Sequence, residues 1–367
     1  MQVDSLEIQP GVIVQFQSNY VFQITGFLMA NGSALAPILF TTTNASAGGQ
    51  GVFFNEVAPG SSLGYCIIEG SKKSGIRIKD CKPEIQNCTV RNNSSSGGGG
   101  VQINNTFASL GELTLSSCTI SNNQAIAVGG GISANMGPNL LRLIGCTIVG
   151  NTVNNGGGLG AGGGVSVSGD SAFGSCLVAG NSCSGCPGYG GGIYSSGGDA
   201  MFRNTTITNN SSFGCGSIGG GIYLEGGSFT NLNCVISFNH SSSGVGDIHL
   251  STPGPVLIQN CITTYNDSGI YFNNSGPALI QNCIIAFNNG MGVYKGSGAI
   301  TVQNCTVVNN GDYGLSGNTS NPILHNSIFY FNRGGSIQIN SFNNPSVSFC
   351  DVQGGFAGTN NIAVNIE

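Results

Sequence analysis

The chain has no tryptophan and only 3 histidines, and its 10 basic and 15 acidic residues make 7% of 367 positions where about a quarter is usual. With a net charge of −5 and no run of Lys or Arg, it lacks the electrostatic footprint that nucleic acid or an anionic membrane requires, and neither is expected as a partner. No stretch reaches the roughly 18 consecutive apolar residues of a membrane span, so insertion is not expected. Met1-Gln2-Val3-Asp4 lacks the basic and apolar regions of a secretory signal, so a signal peptide is read as absent from this chain. Helical periodicity is missing as well.

What is abundant is glycine, at 62 residues, together with Asn, Ser and Thr and 14 cysteines. Such a composition could signal disorder, but 40% apolar residues with Ile and Val spread evenly along the chain imply a continuous core. The cysteines mark a repeat. Cys88, Cys118, Cys146, Cys176, Cys234, Cys261, Cys283 and Cys305 are each followed five positions later by Asn. Thr205 and Ser327 fill the same register with their own Asn, while Cys66 and Cys350 begin and end it without one. Twelve register positions result, 22 to 30 residues apart, so loops vary while the repeat core does not.

Within one unit Leu113 and Leu115 alternate with polar residues, Ser116-Ser117 breaks the alternation, and Cys118 and Ile120 resume it. Short period-2 segments separated by bends describe strands that turn corners. The fold class read from this pattern is all-β, a right-handed parallel β-helix of about 12 to 14 coils of 22–30 residues, each coil pairing with the next at roughly 4.8 Å. Residues 1–65 are read as N-terminal capping coils, 66–350 as the regular helix, and 351–367 as a tail or incomplete cap, all in one continuous domain. The Asn column is attributed to turns, because Asn tolerates the left-handed conformation and its amide can bond its counterpart in the next coil. A second column, Gly followed by Ile or Val at Gly129–Ile132, Gly162–Val165, Gly190–Ile193 and Gly219–Ile222, supplies positive φ or close backbone approach.

The run from Ile120 to Ile132 resembles the repeat of the polymorphic outer-membrane protein family, and the unit as a whole resembles the pectate-lyase-like β-helix superfamily. Leu6–Val12 and Pro37–Thr41 are similar to the first coils of secreted bacterial β-helix proteins, and Cys350–Gly355 with Gly358–Ile362 to their closing segment; Ala363–Glu367 departs from it. The resemblance implies an extracellular or cell-surface location in a bacterium. It is weak for function, since this fold carries lyases, hydrolases, epimerases, adhesins and stalks alike.

The ten register cysteines fall on the inward side, where a free thiol behaves as a small hydrophobe, and in-register stacking holds neighbouring Cβ atoms too far apart for disulfides. They are expected to be reduced. Cys81, Cys183, Cys186 and Cys215 lie outside the register. Cys183-Ser184-Gly185-Cys186 has metal or redox spacing but no second pair and no nearby His, so no metal is expected there. Cys186 and Cys215 each precede a glycine triplet by four residues, which stacks them one coil apart as the expected disulfide. Arg77-Ile78-Lys79 copies a polygalacturonase signature, yet the paired aspartates and Gly-His-Gly of that family are missing. No cofactor is expected: a calcium site needs carboxylates converging from neighbouring coils and the 15 acids are scattered, which argues against calcium without closing the question.

The residue after the glycine column should face outward. Read down the stack, it gives Tyr194, Tyr223, His249, Tyr271 and Tyr294 as five consecutive rings, an expected binding strip for a polysaccharide or cell-surface glycan. The plainer reading is a cross-strand ladder that only stabilises the sheet. Asp247 and Glu225 are read as flanking His249 on the same outward face, which makes the three weak candidates for acid–base chemistry. The leading functional reading is a surface β-helix that binds carbohydrate or serves as a stalk, without catalysis. The alternative is a polysaccharide lyase or glycoside hydrolase, and the third a filament subunit that self-associates through its C-terminal coil.

Overall fold

A computed structural model describes residues 5–43, 48–108, 110–318, 321–338 and 345–362. Among them the regular elements are all strands, the strands pair in parallel, and the pairings form sheets of 23, 14 and 8 strands. The departure at residues 363–367, and with it the end of the chain read as a self-association edge, lies outside the described residues.

One coil shows how the sequence makes the corners. Strand β1 (Glu112–Ser116) stops at Ser117, whose φ of 51° turns the chain into β2 (Thr119–Ser121). Asn122, at φ 54°, turns it again into β3 (Gln124–Val128), and Gly129, at φ 62°, leads into β4 (Ile132–Ile144). Leu113, Leu115, Cys118, Ile120, Ala125, Ile132 and Ala134 all point inward and are buried. Register carries the same residue type from coil to coil: Leu115 sits over Leu143, Ile120 over Ile148, and Ile132 over Val165. Because apolar side chains at matching heights stack on one another, the core is a column running the length of the rod. The ten register cysteines lie in it, buried and unpaired.

Two asparagine ladders hold the corners. In the inner one, Asn93, Asn123, Asn151, Asn181, Asn210, Asn239, Asn266, Asn288, Asn310 and Asn332 are buried, and each Oδ1 after the first accepts the Nδ2 of the Asn one coil earlier, at 2.8–3.0 Å. The same Oδ1 also accepts a backbone N–H, as Asn181 does from Asn151 at 3.0 Å. Every rung is thereby satisfied in a place water does not reach. The left-handed conformation, however, is not at these residues. It falls one position earlier, at Asn92, Asn122, Gly150, Gly180, Asn209, Phe238, Tyr265, Phe287, Asn309 and Phe331, so the attribution of positive φ to the ladder Asn is corrected. The ladder Asn must turn its amide inward along the axis, and the sharp bend is made by its exposed predecessor. A second, outer ladder does combine both roles: Asn204, Asn233, Asn260, Asn282, Asn304 and Asn326 have φ of 48–55° and bond in series at 2.8–3.2 Å.

The glycine triplets divide their work. The first glycine has positive φ, as at Gly129, Gly162, Gly190 and Gly219. The other two pass so close to the next coil that a Cβ at Gly164 would sit 2.7 Å from the Gly192 carbonyl oxygen.

Candidate functional site

The five rings of the expected strip do come together. Tyr194 pairs with Tyr223, Tyr223 with His249, His249 with Tyr271 and Tyr271 with Tyr294. Ring centroids lie 5.6, 5.1, 4.9 and 4.4 Å apart, with planes within 15° of parallel. Tyr189 adds a sixth ring, 4.7 Å from Tyr223. Sequence reading missed it because it precedes the glycine triplet instead of following it.

Stacking changes what the strip offers. At one ring per coil each face is covered by the next ring, so the apolar faces expected to meet a ligand are closed against each other. Tyr223 and His249 are only 8% and 4% exposed. What remains at the surface is edges and hydroxyls: the Tyr194 hydroxyl donates to Glu225 Oε2 at 3.2 Å, and Asn318 Nδ2 donates to the Tyr294 hydroxyl at 2.8 Å.

The expectation that Asp247, Glu225 and His249 share an outward face is corrected. Glu225 is exposed, but Asp247 is fully buried. The residue before Ile248 occupies the last-glycine column, since Ile222 N donates to the Asp247 carbonyl as Ile193 N does to that of Gly221. That position belongs to the corner, so strand alternation does not extend to it. Asp247 Oδ2 accepts the Ser268 N–H at 3.1 Å, while Oδ1 has no hydrogen-bond partner. Burial pushes its carboxyl up to about 8 and pulls the His249 imidazole down to about 4. An acid and a base set apart in this way would suit general acid–base work, yet both are sealed from solvent.

The exposed disulfide joins Cys186 to Cys215, with Cα atoms 4.9 Å apart. Cys183 instead packs with Ala125 and Val153 in a small satellite core, where burial pushes its thiol up to about 12. Arg77 lies over the Phe53 ring at 4.5 Å and donates to the Gln50 carbonyl. Among the described residues no group of three His, Cys, Asp or Glu side chains is placed to hold a metal ion.

A further aromatic ladder was not read from the sequence. Phe238, Tyr265 and Phe287 occupy the left-handed column, 46–55% exposed, and stack at 5.1 and 5.2 Å with planes within 7° of parallel. Phe331 continues the column after Asn309. The signal was present in the residue just before each ladder Asn, which changes from Asn or Gly to an aromatic at Phe238.

A family model described as right handed beta helix region matches residues 2–153 and 220–363. No curated protein matches the chain in sequence.

Proposed function

Because the chain belongs to the right-handed β-helix family, we propose that it is a non-catalytic extracellular or cell-surface rod that binds carbohydrate on its outer face. The observation that carries this reading is the half-exposed ladder of Phe238, Tyr265 and Phe287, whose ring edges, with the outer face of its last ring Phe287, are held at the surface by a column of bends that elsewhere uses Asn or Gly. Amphipathic partners such as sugars suit such rings and the polar groups around them. The stacked strip adds hydroxyl-bearing edges at Tyr194, Tyr271 and Tyr294 with the Glu225 carboxylate, while Tyr223 and His249 serve as its interior rungs. Burial of Asp247 and His249 weighs against the lyase or hydrolase alternative.

The test is retention of the full chain on a panel of immobilised polysaccharides, with unsaturated and reducing-end products assayed in parallel. Retention without product formation is expected. Product formation abolished by His249→Ala would replace this reading with the catalytic one. Exchanging Tyr223 and Tyr271 for Ser separates the roles of the strip: a lowered thermal midpoint with unchanged retention makes it structural, while lost retention places the glycan along it.

A further inference from the structure

Within the exposed ladder one rung is missing. Phe238, Tyr265 and Phe287 cover one another, Asn309 stands where the next ring would be, and Phe331 resumes the column. Phe287 and Phe331 are therefore two coils apart, roughly 10 Å at the sheet spacing, and each keeps a ring face uncovered by the other. A cavity of about 510 Å³ opens here, lined by Tyr265, Phe287, Asn289, Asn309, Phe331 and Arg333 among others. A ring entering it midway lies about 5 Å from either aromatic centroid, within the range of favourable ring contacts.

The rim is polar. The Asn309 amide makes no hydrogen bond among the described residues, and the exposed Arg333 has neither a carboxylate partner nor any other side-chain hydrogen bond there. The chain's other arginines differ: Arg91 and Arg142 bind Glu69 and Glu112 at 2.9 and 2.6 Å, Arg77 reaches a carbonyl, and Arg203 contacts the Met201 sulfur. Arg333 is thus an uncommitted planar donor fork beside a slot one ring thick, and such forks favour carboxylate or sulfate oxygens.

We infer that this gap is a binding subsite for one pyranose residue of an acidic glycan, its two CH faces against Phe287 and Phe331, its hydroxyls toward the Asn309 and Asn289 amides, and its anionic substituent on Arg333. The subsite deepens the carbohydrate-binding reading and rests on it. Its location distinguishes it from the tyrosine strip, which stands on another face of the coil and has no missing rung.

The column itself supplies variants that keep the fold. Asn occupies the same left-handed position at Asn92, Asn122 and Asn209, so Phe331→Asn removes one wall without straining the bend, and Asn309→Phe fills the slot by completing the ladder. Calorimetric titration of the full chain would use size-matched oligosaccharides that are neutral, carboxylated or sulfated. The parent should prefer one or both acidic series over the neutral one, and which of them it takes identifies the anion. Asn309→Phe should weaken binding at least tenfold with an unchanged or raised thermal midpoint, Phe331→Asn should weaken it similarly, and Arg333→Gln should erase the preference for acid over neutral. Undiminished binding in Asn309→Phe overturns the subsite and leaves carbohydrate binding standing elsewhere. Equal affinity of the parent for neutral and acidic series overturns the role of Arg333. Binding of none of the three overturns the subsite and, with failed retention on the polysaccharide panel, the broader reading too.

Discussion

The coils between Cys88 and Cys234 and those from Cys261 onward share one core and one asparagine ladder, but they are built differently. The first group, 28–30 residues long, carries the third sheet, whose eight strands begin at Ser94 and end at Ser241 in the 27-residue coil that follows Cys234. The second, at 22 or 23 residues, has no strand there among the described residues and turns directly from the ladder Asn into the next strand of the largest sheet, as from Asn266 into Ile270–Phe272. The junction is capped by carboxylates. Asp267 Oδ2 accepts the Ser241 N–H at 3.2 Å and pairs with His240 Nδ1, so the last strand of the third sheet meets an acid in place of another strand. Extra residues in a coil are thus used to widen the cross-section, while short coils leave their corners bare and place aromatics on them.

The comparison can be broken most sharply at the middle glycine of the triplets. In the long coils a Cβ at Gly191 would collide with the Ser211 and Gly220 carbonyls. In the short coils Met291, donated to by the Gly269 N–H, stands in the corresponding place and is tolerated. Gly191→Val should therefore cost about 4 kcal/mol or more and give a separate early transition in urea, as expected for a stacked array, whereas Met291→Ala should scarcely move the profile. A single unshifted transition for Gly191→Val would show the two regions to be equivalent.

Next in size is the disulfide, which closes a 29-residue loop within the long coils. Cys215→Ser should lower the stability of that region by about 3 kcal/mol on the chain-entropy model, and reduction of the parent should match it. A loss appearing in the short-coil transition instead would contradict the assignment of regions.

At the junction the effect depends on pH. The Asp247 carboxyl is raised in the fold to about 8 from an ordinary 3.8, so its contribution to stability is full below about pH 4 and is lost as pH rises through 8. His249, lowered to about 4, acts oppositely: its contribution is present above 6.5 and is lost as pH falls through 4. Asp247→Asn should equal the parent at pH 4 and exceed it at pH 9 by on the order of 2 kcal/mol, read from thermal midpoints across that range. A constant difference at every pH would mean that packing, not charge, sets it.

The smallest effect is expected inside the short coils, where Lys295 is fully buried over the Phe272 ring. Burial lowers its ammonium to about 8, but Nζ donates to the Ser275 hydroxyl and carbonyl and to the Gly276 carbonyl, which offsets much of the cost. Stability from this group is present above 10.5 and is lost as pH falls through 8. Lys295→Met should raise stability at pH 7 by about 1 kcal/mol and flatten the rise between pH 8 and 10.5; a loss at pH 7 would show the three hydrogen bonds to outweigh desolvation.

The sequence by itself determined the coil, its register, the inward cysteines and the bonding of each ladder Asn amide to its counterpart, because a repeat pairs each position with its own counterpart and a period of two assigns sides within strands. It also brought the five rings of the tyrosine strip into line. Corners were decided by tertiary structure. Asp247 lies outside the pleat, where alternation assigns no side, so only the packed coil shows that it turns inward beneath Gly220. The bend before each ladder Asn is a matter of φ, and composition could not distinguish Asn92 from Asn93. Stacking likewise closes the tyrosine faces at one coil pitch and leaves Phe287 and Phe331 open across Asn309, because a ring is covered or free according to what the neighbouring coil puts beside it.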